Sequence, residues 1–148
     1  MSITFDGFEK LAAELDKVGG DLKPAVNEAL EETQKYIQQE LESASQIYSS
    51  GGRKGYADGD LNAAIIRNPK VEWLGNVGVV DVGFSKELNW KGFMHSIFVM
   101  YGVPAHGKFN KGYQKDPKVY NAIRGLRTKN QIEQIQKEIM ENHLKLGR

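Results

Sequence analysis

The chain has 148 residues, 40% of them hydrophobic and 26% charged, with a net charge of +1 and no cysteine. That length suits a single domain burying about 70% of the surface its unfolded chain exposes. The missing cysteines exclude disulfides, a thiolate nucleophile and cysteine-based zinc sites, so packing or subunit contacts must supply the stability.

No apolar run approaches the roughly 20 residues needed to cross a bilayer. Met1 to Asp6 lacks the basic start and apolar middle of a signal peptide, so a protein made in the cytoplasm, with no membrane contact, is expected. The near-zero charge hides a polarity along the chain. Residues 1 to 50 carry ten acids against four lysines, and residues 108 to 148 carry ten bases against four acids. Segments of opposite charge that face apart favour docking of one copy on the next or on a polar partner; segments that face each other neutralise within one subunit.

In chain order, Asp6 can cap a short helix with Phe8, Leu11, Ala12, Leu15 and Val18 on one face, closed by Gly19 and Gly20. A long helix follows. Asp21 can cap it, Pro24 fits its first turn, and Leu22, Val26, Ala29, Leu30, Thr33, Ile37, Leu41 and Ala44 recur at helical spacing, with Tyr48 a possible last member. From Leu22 to about Ala44 it spans roughly 34 Å at the standard rise. Residues 46 to 60 then form a glycine-rich loop. Gly51-Gly52-Arg53-Lys54-Gly55 has the wrong order for a phosphate-binding loop and follows no strand.

From Leu61 the period changes. Ile65-Ile66, Lys70 to Leu74 and Val77 to Phe84 read as antiparallel strands, with Gly75-Asn76 as a two-residue hairpin turn. A sheet with one apolar face must bury it against another layer. The class is therefore α+β: a sheet of about three to four strands packed on the long amphipathic helix, with flexible Gly- and Lys-rich loops and a C-terminal helix.

Phe93 to Tyr101 is the longest apolar and aromatic run, and Gly102-Val103-Pro104 ends it. It reads as a core element feeding a mobile surface arm. Asp116-Pro117 is a helix-start pair leading into Val119, Tyr120 and Ile123, in a helix that Gly125 weakens. Thr128 to Gln131 offers a capping box for a last helix bearing Ile132, Ile135, Ile139, Met140 and Leu146. Its narrow stripe suits a seam for one neighbour. Residues 1–127 thus read as one α+β domain and 128–148 as a helical extension.

No catalytic constellation emerges. His95, His106 and His143 lack metal-ligand spacing, and His95 reads as a packed core residue. Ser49, Ser50 and Asp58 have no histidine at a recognisable interval, and Asp58 with Asp60 in a glycine-rich turn are turn formers before they are a catalytic pair. No catalytic, cofactor-binding or metal residue is therefore assigned, and a non-enzymatic protein is expected. Lys108, Lys111, Lys115, Lys118, Arg124, Arg127 and Lys129, interleaved with Phe109, Tyr113 and Tyr120, give the cations and stacking faces of nucleic-acid binding. A small DNA-binding protein using residues 108–129 is the alternative reading.

Three features in order carry a family resemblance: the amphipathic N-terminal helix pair, Gly59-Asp60-Leu61-Asn62-Ala63-Ala64-Ile65, and Phe98-Val99-Met100-Tyr101-Gly102-Val103-Pro104 followed by Tyr120-Asn121-Ala122-Ile123. Over most of residues 3 to 125 the chain resembles the bacteriophage tail-component family typified by gene product ten of phage HK-ninety-seven. Asp58 stands where that family usually has Thr, and Val103 replaces the Thr of its Gly-Thr pair. The resemblance implies a structural role in a phage or prophage virion, as a tail-completion or head-tail joining protein. It would act as a ring of identical subunits at the neck, beside other tail or neck proteins, with at most weak contact to DNA, after assembly in the bacterial host cytoplasm. The loops would then make the contacts. Arg53, Lys54, Tyr56, Lys108, Phe109, Lys111, Tyr113 and Lys115 are the candidate interface residues there, with Ile132, Ile135 and Ile139 on the terminal helix.

Overall fold

The computed structural model describes residues 2–4, 13, 17, 22–49, 59–68, 70–75, 77–108 and 111–146. The expected first helix lies almost wholly outside these residues, as does the loop segment 50–58.

Helix α1 runs Leu22–Ser45 and buries Ala25, Val26, Ala29, Leu30, Thr33, Ile37 and Leu41, the stripe its spacing dictates. It stops short of Tyr48. A turn of 3-10 helix, Gln46–Tyr48, carries that side chain inward until 1% of it is exposed.

Strands β1 (Ser2–Thr4), β2 (Val71–Leu74) and β3 (Val77–Asp81) form an antiparallel sheet in the order β1-β3-β2. Glu72 faces Val79, and Ile3 faces Val80. Gly75 opens the β2-β3 turn at a φ of 65°, the left-handed value that position demands. The sheet is slighter than expected. Ile65-Ile66 contributes an isolated bridge to Phe84 rather than a strand, because Gly83, at a φ of 101°, turns the chain out of the ladder.

The sheet lies on α1 at close range. A Cβ at Gly78 would stand 2.9 Å from Val26 Cγ1 and 3.0 Å from Leu30 Cδ1, so the missing side chain lets strand and helix meet. Beside this contact the Trp73 indole donates to Asn27 Oδ1 at 3.0 Å.

Short helix α2 (Asp60–Ala63) and helix α3 (Trp90–Tyr101) pack together on a second side of the core. Asn89 caps α3, its side chain accepting from the Gly92 amide at 2.8 Å. Helix α4 (Pro117–Arg124) begins as the Asp-Pro pair requires: Asp116 accepts from the Lys118 amide at 2.8 Å, and Pro117 occupies the first turn. Gly125 then separates α4 from α5 (Leu126–Leu146).

The last helix thus starts two residues before the expected cap. Thr128 lies inside it and makes no capping box; its hydroxyl donates at 2.7 Å to the Asn121 carbonyl, which also accepts from the Gly125 amide at 3.0 Å where α4 ends. Helix α5 runs antiparallel to α1, with His143 2.7 Å from Glu28 at one end of the contact and Gln136 3.4 Å from Thr33 further along. Met140 and Leu144 are buried. The neighbour that its apolar seam requires is therefore α1 of the same chain.

Candidate interaction surface

Helix α3 turns the expected pattern over. The apolar run that reads as a core element buries only Gly92, Ser96, Val99 and Met100. Two of these four are small, and the reason is distance: a Cβ on Gly92 would lie 1.9 Å from the Asp60 carbonyl oxygen. Large side chains cannot face inward at such an approach, so they face outward. Trp90 is 62% exposed, Tyr101 54% and Ile97 37%, and Met94 is half-buried among them. At 3.6 residues per turn these four fall within about 60° of one another around the helix.

The surface is held from behind. Asp60 accepts from the Asn89 side chain at 3.0 Å and pairs with Lys91 Nζ at 2.8 Å, which fastens α2 to the start of α3. Its carboxylate is thus committed to a structural clamp, and Asp58 lies outside the described residues. His95 sits half-buried in α3, His106 in the loop beyond and His143 on α5. Among the described residues no group of three acidic or histidine side chains could hold a metal ion.

At the C-terminal end of α3 the expected mobile arm is pinned at its base. Val103 and Tyr113 exchange two backbone hydrogen bonds of 2.8 Å, and the Asp116 amide donates to the Val99 carbonyl at 2.7 Å. Gly102 and Gly112, both at positive φ, allow this closure; a Cβ on either would come within 2.7 Å of the opposite backbone. Closure leaves Tyr113 half-buried at the base of the arm and brings Lys115, through Tyr120, beside the Tyr101 end of the apolar face. Tyr120 packs edge-on against Tyr101 at 6.0 Å, and Lys115 Nζ lies 5.7 Å from the Tyr120 ring.

The remaining candidates divide. Lys108 and Lys111 are exposed in the arm. Arg53, Lys54, Tyr56 and Phe109 lie outside the described residues. Ile132 packs against the core, while Ile135 and Ile139 are half-buried on α5 and line a shallow groove with Tyr36 and Glu32 of α1. Sequence reasoning did not pick out Trp90, Ile97 or Tyr101 as surface residues. The signal was available in Gly92 and Ser96, whose spacing marks the side that approaches a neighbour.

Charge is distributed less simply than the sequence polarity suggests. Helices α1 and α5 lie side by side and share the Glu28–His143 pair, and Arg67 links Glu42 of α1 to Asn62 of α2. Lys108, Lys111, Lys115, Lys118, Arg124, Arg127 and Lys129 make no ion pair among the described residues. A second open groove, of about 630 Å³, lies over the outer face of the sheet, where Arg67, Lys70, Glu72, Asp81, Leu74 and Leu88 line it. Among the described residues no helix is long and apolar enough to cross a membrane.

No family model, curated protein or solved structure matches the chain.

Proposed function

We propose that this chain is a structural, non-enzymatic component of a phage or prophage particle, a tail-completion or head-tail joining protein that works at the neck with copies of itself and other tail proteins. The observation that carries the reading is the outward apolar face of α3, with Trp90, Ile97 and Tyr101 in water beside the lysine-bearing arm. Clustered exposed apolar side chains rimmed by polar ones mark sites of protein contact. Aromatic anchors are the side chains that contribute most when such a site closes.

The test is assembly. A phage carrying Trp90→Asp and Tyr101→Asp in this gene is expected to accumulate unjoined heads and tails by electron microscopy, while the purified variant keeps its circular dichroism spectrum. Normal yields of joined, infectious particles from that phage would overturn the reading.

One observation favours a second reading, that residues 108–129 bind DNA: the seven exposed cations there make no ion pair among the described residues, and Lys115 stands against Tyr120. Titration of labelled DNA at two salt concentrations separates the readings, since phosphate contacts weaken steeply with salt.

A further inference from the structure

We infer that the outer face of α3 pairs with the same face of a second copy of this chain, the two helices running antiparallel about a two-fold axis between Met94 and Ile97. The pairing does not depend on the particle role proposed above. Its first support is spacing. Trp90, Met94, Ile97 and Tyr101 are separated by four, three and four residues, the alternation that keeps one seam facing a second helix. A two-fold contact requires a surface that complements itself. Turned end for end, this stripe sets each Trp90 against the other copy's Tyr101 and each Met94 against the other copy's Ile97, so the large aromatic ends meet one another and the smaller side chains meet in the middle.

Charge favours the antiparallel sense. Lys115 stands at the Tyr101 end of the stripe, through its contact with Tyr120, and exposed Glu87 lies in the turn that enters α3 at the Trp90 end. Antiparallel pairing brings each Lys115 towards the other copy's Glu87. Parallel pairing would set Lys115 against Lys115 and align the two helix dipoles. Lys91 at the Trp90 end is already paired with Asp60, and exposed Lys86 offsets part of the Glu87 charge, so charge gives the antiparallel sense only a small bias and the apolar stripe holds the contact.

Size sets the strength. The exposed parts of Trp90, Ile97 and Tyr101 amount to on the order of 300 Å² per copy, about 600 Å² for the pair, so the apolar stripe alone falls short of the roughly 1,200 Å² of a stable interface and the polar rim must supply the rest. The dimer is accordingly reversible. It closes at two copies; a ring would need a further, heterologous surface.

Sedimentation equilibrium of the full chain tests this. The expected result is a concentration-dependent rise from the monomer mass of 16.6 kDa to twice that value. Trp90→Lys and Ile97→Asp should each weaken association at least about tenfold with an unchanged denaturation midpoint. The charge reversal Glu87→Lys should weaken it, and Lys115→Glu added to Glu87→Lys should restore it. Because the chain has no cysteine, orientation can be read directly. Under oxidising conditions a chain carrying both Trp90→Cys and Tyr101→Cys should cross-link into a dimer, and a chain carrying Trp90→Cys alone should not. A chain that stays monomeric at about a hundred micromolar, a dimer indifferent to the stripe variants, or cross-linking by Trp90→Cys alone would each overturn the inference.

Discussion

The Tyr48 hydroxyl donates to Asp116 Oδ2 at 2.6 Å across 68 residues of sequence, and both side chains are buried. The other carboxylate oxygen caps α4 by accepting from the Lys118 amide. One acid thus ties the turn after α1 to the start of α4. Removing the hydroxyl withdraws a donor from a buried acceptor, which costs about 1–3 kcal/mol. Tyr48→Phe should lower the unfolding free energy by that amount in urea. Asp116→Asn, which keeps an oxygen for the cap, should cost less than Asp116→Ala, and equal losses would contradict the capping role.

Gly92→Ala should be among the most damaging small substitutions in the chain. The new methyl would meet the Asp60 carbonyl oxygen at 1.9 Å, so α3 must move away from α2. Overpacking of this kind costs about 1–3 kcal/mol or more. Chemical denaturation reads the loss, and a midpoint equal to that of the parent chain would rule out the close approach.

Arg67 offers a test of geometry over charge. Its Nε donates to Glu42 at 2.9 Å, one terminal nitrogen to Asn62 at 2.6 Å and the other to the Ile65 carbonyl at 3.3 Å. Lysine keeps the charge but not the fork. Because the pair with Glu42 is more than a third exposed, solvent screening limits the cost of Arg67→Lys to about 1 kcal/mol. A thermal melt that shows no change would mean the three contacts contribute nothing.

Lys35 gives a pH signature. The hydrogen bond that Lys35 donates to the Glu32 carboxylate first, and the negative charge of Glu32 second, raise the Lys35 amine above its ordinary 10.5. A raised folded-state value means that the small stabilisation is fully present below the unfolded-state value and lost as pH climbs through the folded one. Glu32→Gln should return the Lys35 titration towards the ordinary value, measured by nuclear magnetic resonance of the side chain. An unshifted titration would show that the pair does not persist in solution.

Helix α1 was legible because its apolar positions keep a helical period from Leu22 to Leu41, and α4 because Asp116 and Pro117 are local signals that need no tertiary context. The turn at Gly75 was legible for the same reason. Strand β1 was not expected, since three residues, Ser2 to Thr4, are too few to show alternation and are placed only by pairing with β3. The start of α5 was misplaced because Thr128 has the chemistry of a cap while its actual acceptor, Asn121, belongs to the preceding helix. The exposed face of α3 was hidden for a different reason. The run is apolar over most of its circumference, so hydrophobicity alone does not say which side is buried, and its small residues are what show which way it points. The neighbour of Ile135 and Ile139 could not be named from sequence because an amphipathic stripe specifies a contact without specifying whose.

Small side chains turned inward and large ones outward divide α3 into two independent records. Drift among natural variants at Gly92, Ser96 and Val99 answers to the integrity of the subunit itself. At Trp90, Ile97 and Tyr101 it answers to whatever touches the molecule from outside, so a lineage that changes its associations can rewrite these three positions and leave the architecture untouched.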